Sequence, residues 1–146
     1  MLEESFDRIY TKFKLHFYQA VFSQFQTGET KLSAVETFCM EIIRALDEPT
    51  INEFASFVNI SSPNAAYKVN SLIRKGYLEK VQSPNDRREY HLRPTQKVHD
   101  YYNVSSTYVQ EVMERVRERF SPAEVALMDQ VLEIVGRELM PEVEIK

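Results

Sequence analysis

The sequence predicts a mainly α-helical chain interrupted by one small β-hairpin, and three observations carry that prediction. Apolar residues recur at steps of three and four over most of the chain, the spacing that gives a helix one buried face. The period shortens to two in one place, residues 77–93, around a turn-forming stretch. Ser33–Glu36, Thr50–Glu53 and Ser121–Glu124 each repeat the capping-box spacing ahead of an apolar run.

Taken in order, the first helix covers residues 2–25, with Phe6, Ile9, Tyr10, Phe13, Phe17, Val21 and Phe25 along one stripe. A polar break, Gln26–Lys31, precedes a second helix opened by Ser33 and faced inward by Val35, Phe38, Cys39, Ile42, Ile43 and Leu46. It ends before Pro49, because proline removes a backbone donor and disfavours helical geometry just ahead of it. Thr50 starts a short helix with Ile51, Phe54, Ala55 and Val58 inward. Ser62 and Pro63, read as N-cap and first helical residue, start a fourth helix that Gly76 stops. Two short helices joined by so brief a turn are a helix-turn-helix candidate.

Residues 77–81 and 89–93 alternate as strands do, and Ser83–Arg88 between them is rich in turn formers, which gives a hairpin with a basic tip. A long helix from Thr95 to about Arg119 carries Val98, Tyr101, Tyr102, Val109, Val112 and Val116. The last helix, capped by Ser121 with Pro122 in its first turn, presents Val125, Leu127, Met128, Val131, Leu132, Val135 and Leu139.

Bulk properties narrow the function classes. The 146 residues fit one domain, or one lobe with an extension that packs elsewhere. No run of about 18 apolar residues occurs, so no membrane span is expected. The acidic start Met1-Leu2-Glu3-Glu4 lacks the layout of a secretory signal, and one cysteine, Cys39, suits a reducing cytoplasm without a disulfide framework. Three glycines leave little material for a phosphate-cradling loop, and no nucleophile elbow or His-Glu-x-x-His occurs, so the chain is read as no enzyme and no cofactor is expected. His16, His91 and His99 are scattered over three elements, and no metal site is expected.

Net charge is −4, yet its distribution is uneven. Residues 61–97 hold eight basic and three acidic groups, while 1–60 hold five and nine, and 98–146 hold five and ten. A basic island between acidic arms is the pattern of a local phosphate-binding surface. On a helical wheel of 63–75, Ala66, Val69, Leu72 and Ile73 share one side. The other side holds Asn64, Tyr67, Lys68, Ser71 and Lys75, with no acid among them. These residue types read base edges and hold phosphates, though a solvated polar face has the same composition. The Ser62 end adds free backbone N–H groups that favour a phosphate. Arg87 and Arg88, at the tip of a ribbon, can reach phosphates or a narrow minor groove. Asp86 beside them is read as an organiser that fixes an arginine fork.

Across essentially its whole length the chain resembles the MarR family of bacterial regulators. The likeness rests on Leu32-Ser33-Ala34-Val35-Glu36, where the family favours leucine, threonine and then glutamine, and on Thr50-Ile51-Asn52-Glu53-Phe54-Ala55 with Ile60-Ser61-Ser62. Its most specific part is Leu72-Ile73-Arg74-Lys75-Gly76-Tyr77-Leu78-Glu79-Lys80 followed by Asp86-Arg87-Arg88. After the hairpin the family usually shows leucine-threonine, two variable residues and glycine, where this chain has Pro94-Thr95-Gln96-Lys97-Val98.

The resemblance implies a winged helix-turn-helix lobe over 32–97 within a single chain 1–146, with dimerisation helices at 1–25 and 98–146. It implies a homodimer that sets a recognition helix (Ser62–Lys75) in the major groove and a wing (Lys80–Arg93) in the minor groove of a palindromic operator. The expected function is sequence-specific binding of double-stranded DNA by a cytoplasmic regulator, a repressor by family habit, released or modulated by a small-molecule effector. In relatives, small aromatic or lipophilic effectors often bind where the dimer helices meet the lobe, which marks Tyr10, Phe13 and Phe17 as pocket candidates, although such a stripe also serves as plain core or interface. Some relatives sense oxidants through cysteine; Cys39 on an apolar helix face reads instead as a buried structural thiol. Two other readings stay open: a winged-helix module for protein–protein contact without DNA binding, and a helical ligand-binding protein whose basic island is incidental.

Overall fold

Side chains that satisfy orphan backbone groups set the helix boundaries. In the computed structural model, which describes residues 1–26 and 32–145, the described residues form six helices and two strands. In chain order these are α1 (Leu2–Gln26), α2 (Ala34–Ala45), α3 (Ile51–Val58), α4 (Ser62–Arg74), β1 (Leu78–Gln82), β2 (Tyr90–Pro94), α5 (Gln96–Arg119) and α6 (Pro122–Glu138). The expected break Gln26–Lys31 lies, from residue 27 on, outside the described residues, as do the side chains of Phe25 and Tyr101.

All three capping boxes form. Ser33 Oγ accepts the Glu36 N–H at 3.1 Å, Thr50 Oγ1 accepts the Glu53 N–H at 3.1 Å, and Ser121 Oγ accepts the Glu124 N–H at 3.2 Å, each glutamate accepting the cap amide in return. At α4 the expectation shifts by one residue. Ser61 is the N-cap, taking the Asn64 N–H at 3.3 Å, and Ser62 and Pro63 are the first two helical residues. Proline is tolerated throughout a first turn, where N–H groups have no helical partner, so Pro63 alone does not identify the cap.

Gly76 ends α4 in the left-handed region, φ +83°. Its N–H bonds the Ile73 carbonyl and the Tyr77 N–H bonds the Leu72 carbonyl, both at 3.0 Å, the double closure of a Schellman motif. That motif holds Tyr77 outside the ladder, so β1 begins at Leu78, one residue later than expected. β1 and β2 pair antiparallel from Leu78↔Pro94 to Gln82↔Tyr90. Pro94, last in its strand, costs the ladder no donor.

The turn after α2 lies along β2: the Leu92 N–H donates to the Pro49 carbonyl at 2.8 Å, and Thr50 bridges to His91. Asp47 and Glu48 in this turn both adopt positive φ, 56° and 54°. Arg93 on β2 pairs with the Glu48 carboxylate, and His91 Nδ1 lies 2.8 Å from the Glu48 carbonyl oxygen.

The chain divides into two units. The one built on Val21–Tyr102 contains the lobe expected at 32–97, and its core is closely filled. Met40 and Ile43 of α2, Phe54 of α3, Ala65, Val69 and Leu72 of α4, and Leu92 of β2 are wholly buried, with Val98 from the first turn of α5. Two apolar assignments change. On α2 the core face is Thr37, Cys39, Met40 and Ile43, whereas Val35 and Phe38 are half exposed. Thr37 can be buried because its hydroxyl bonds the Ser33 carbonyl at 3.0 Å. On α4 Ala65, not Ala66, is the buried alanine.

The other unit comprises Met1–Ala20 and Asn103–Glu144. Tyr108 stacks flat on His16 at 3.7 Å and meets the Phe13 ring edge-on at 5.5 Å. Its apolar stripes remain largely uncovered: α6 has no buried residue, and Phe6, Ile9 and Tyr10 of α1 and Leu127, Val131, Leu132 and Leu139 of α6 are exposed. Among the described residues, no helix is long and apolar enough to cross a membrane.

Candidate nucleic-acid interface

α4 owes its polar face to a sequence without a single acidic residue between Ser62 and Arg74. The candidate side chains on it divide into two groups, and Asn70 and Arg74 are exposed besides. The first is engaged within the fold. Ser62 Oγ donates to Asn52 Oδ1 on α3 at 3.2 Å. Lys75 Nζ lies 2.8 and 2.9 Å from the two Glu36 carboxylate oxygens, and Ser71 Oγ donates to Glu36 Oε2 at 3.1 Å. The Lys75 carbonyl in turn accepts the Lys97 ammonium at 3.0 Å, which also sits over the Tyr77 ring at 4.5 Å. Ser71 and Lys75, grouped by helical phase with the outward set, thus face α2.

The second group is free. Asn64 and Tyr67 are exposed, Tyr67 at 72%, and neither side chain has a hydrogen-bond partner among the described residues. Lys68 is half-buried and likewise unbonded there. Its charge is felt on α2, where burial pushes the Cys39 thiol up despite the opposing pull of Lys68, with Glu36 adding to the rise. Cys39 is a buried free thiol, as expected for a structural cysteine.

Glu36 is the residue that sequence reasoning missed. Burial opposes its ionisation, but hydrogen bonds from Lys75, the Ser33 amide and Ser71 outweigh that cost and hold its carboxyl below the ordinary glutamate value. The available signal was a glutamate where the resembled pattern favours glutamine, three residues past a cap and therefore on the first turn of α2.

The wing tip is folded by its own polar groups. The Ser83 N–H bonds the Glu89 carbonyl at 2.8 Å, and Gln82 Nε2 donates to the Arg87 carbonyl at 2.9 Å. Asp86 organises the tip differently from the expected arginine fork. Its Oδ1 accepts the Arg88 backbone N–H at 2.9 Å and lies 3.8 Å from Arg88 Nε, too far for a direct hydrogen bond. Arg87 and Arg88 are fully on the surface. A cleft of about 350 Å³ lies between the wing and the start of α3, lined by Asn52, Lys80, Asp86, Arg88 and Tyr90 among others. Asn52 therefore borders the wing cleft while holding the first residue of α4, which places that end of α4 and the wing base around one side chain. Asn52 and Lys80 were not among the expected site residues.

Tyr10 is exposed, stacked on Phe6 with Lys14 over its ring at 4.3 Å, while Phe13 packs on Tyr108 and Phe17 contacts Tyr18. A groove in that unit, about 590 Å³, is formed by α5 and α6 with Met113, Val116, Val125, Met128 and Leu132 in its wall. Among the described residues, no group of three or more histidine, cysteine, aspartate or glutamate side chains could hold a metal.

Comparison with known proteins agrees with this geometry. Residues 32–90 match the model of the MarR family. No curated protein sequence matches the chain. Among solved structures, a MepR mutant from multidrug-resistant Staphylococcus aureus is similar at 16% identity and TM-score 0.66, covering 96% of this chain and 98% of its own. A transcriptional regulator from Thermotoga maritima shares 18% identity at TM-score 0.63, covering 92% of each chain. Streptococcus pneumoniae FabT, solved in complex with DNA, shares 23% identity at TM-score 0.50, with 92% of this chain and 96% of that one covered. The segment 32–90, with its capped helix pair, left-handed glycine stop and arginine-tipped hairpin, has a winged helix-turn-helix fold and is similar over those residues to the MarR family.

Proposed function

We propose that this chain is a sequence-specific, double-stranded-DNA-binding transcriptional regulator that works as a symmetric homodimer on a palindromic operator. The observation that carries the reading is the division of α4. Ser62, Ser71 and Lys75 fasten the helix to α3 and α2, and Asn64, Tyr67 and Lys68 are left with free polar groups. A recognition helix needs both properties, rigid seating and unsatisfied donors and acceptors toward the groove. Arg87 and Arg88 on the wing supply charge for phosphates or a narrow minor groove. FabT, which shares the fold, is a protein solved with DNA.

Dimerisation is supported by the uncovered apolar faces of α1 and α6, since apolar patches of this extent mark interaction surfaces. Repression, and relief of it by a small aromatic or lipophilic effector near Tyr10, Phe13 and Phe17, complete the proposal. The deciding experiment is selection of binding sites from a randomised duplex pool, followed by titration of the selected duplex at several salt concentrations. Wild type binds with a steep salt dependence, and Arg87→Ala weakens binding and flattens the slope by about 0.9 for each phosphate that is no longer neutralised. Failure to enrich any duplex at low salt refutes the function; an unchanged slope in Arg87→Ala refutes the role of the wing.

A further inference from the structure

The residues left free on α4 restrict what it can read. Asn64 and Tyr67 are three apart, so they share a face and are separated by about 4.5 Å along the helix axis. That separation is close to the roughly 3.4 Å between successive bases on one strand. Both sit in the first two turns, the part of a recognition helix that meets base edges. A carboxamide matches adenine, donating to N7 and accepting from N6, whereas guanine is matched by arginine or lysine and cytosine by a carboxylate. α4 has no acid anywhere, and its one arginine, Arg74, is its last residue. Lys68 is half-buried, with less of its side chain exposed than those of Asn64 and Tyr67, and Lys75 is held by Glu36.

We infer that α4 reads an adenine and a neighbouring thymine in each half-site, Asn64 pairing with the adenine edge and the exposed Tyr67 ring covering the thymine methyl. This rests on the DNA-binding reading above and adds base identity to it. Specificity at the centre of the half-site is then set by one amide and one methyl contact, with the arginines of the wing contributing charge.

The test uses the full-length protein and the duplex enriched from the randomised pool. Uracil replaces thymine at single positions in both half-sites, deleting only the methyl, and 7-deazaadenine replaces adenine, deleting only N7. One uracil position weakens wild type by about fourfold per half-site, the worth of a buried methyl, and one deaza position by about tenfold, the worth of a hydrogen bond left unmade. Tyr67→Ala binds the thymine and uracil duplexes equally but still discriminates against deazaadenine; Asn64→Ala does the reverse. Both side chains are exposed, and unchanged far-ultraviolet circular dichroism shows that the variants fold. Equal wild-type affinity for all substituted duplexes, or discrimination that survives both variants, overturns the base assignment while leaving DNA binding intact. Enrichment of no duplex at all overturns both.

Discussion

Removing the Glu36 charge should loosen α4, and the structure fixes how much. Glu36 takes two short contacts from the Lys75 ammonium and one from the Ser71 hydroxyl while its own side chain is 15% exposed and that of Lys75 31%. A charge-assisted hydrogen bond contributes about 1.5–3 kcal/mol when shielded. The partial exposure of Lys75 lowers this, since exposed pairs contribute about 0–1 kcal/mol. Glu36→Gln and Lys75→Met should therefore each cost about 2 kcal/mol, with a coupling of about 1 kcal/mol between them. The singles lose more than the coupling because each leaves a partly buried polar partner unmatched.

The assay is urea unfolding of both singles and the double variant, followed by circular dichroism because the chain has no tryptophan. Acid provides an independent reading. The Glu36 carboxyl is depressed in the folded state, so its contribution is fully present above the ordinary value of 4.5 and is lost as pH falls through the lower folded value. Wild type should lose stability relative to Glu36→Gln as the solution is acidified below that value. Strictly additive singles, or parallel acid profiles for wild type and Glu36→Gln, would refute the reasoning.

Other outcomes follow from the same geometry. Gly76→Ala should cost about 1–2 kcal/mol in urea unfolding, purely from its left-handed backbone, because an added Cβ meets nothing within 4 Å. Asn59→Gly, at the left-handed end of α3 (φ 56°), should be neutral or gain a few tenths of a kcal/mol by the same measurement. Cys39, buried and with its thiol pushed up by burial, should resist a thiol reagent at neutral pH until the protein is unfolded in urea. Leu127→Glu, at a position 61% exposed on α6, should shift the proposed dimer to monomer in sedimentation velocity without loss of helix.

The order of elements and all three capping boxes were legible because they depend on contacts within four residues. The same locality made Gly76 legible: a stop that needs positive φ after a polar helix leaves glycine as the natural choice. Legibility fell where tertiary contacts decide. Val35 and Phe38 fit an apolar stripe, yet α2 turns Thr37 and Met40 inward, since a threonine that bonds its own helix buries at little cost. The start of α4 slipped by one residue because two serines and a proline around its N-terminus offer overlapping caps. At the site, helical phase grouped Ser71 and Lys75 with Asn64, Tyr67 and Lys68. Only a partner 35 and 39 residues away separates them, and no periodicity reports a contact of that range.

The separation also changes what the basic island means. Eight cations between 61 and 97 read as one phosphate-binding surface, but Lys75, Arg93 and Lys97 are engaged with Glu36, Glu48 and the Lys75 carbonyl. These three hold the lobe together at the end of α4 and along β2, and Thr95 reinforces the first of these joints by donating to the Gly76 carbonyl at 2.6 Å. On the proposed function, the charge left to meet a duplex is that of Lys68, Arg74, Lys80, Arg87 and Arg88. Removing an engaged cation and removing a free one should then differ in kind. Lys75→Met lowers stability and weakens binding without changing the number of ions released, because its charge faces Glu36 in both states; Arg87→Ala leaves stability intact and lowers that number. A salt slope that falls as far for Lys75→Met as for Arg87→Ala would show that the Glu36 pair opens on DNA, and that the division of α4 into a seated and a reading half is wrong.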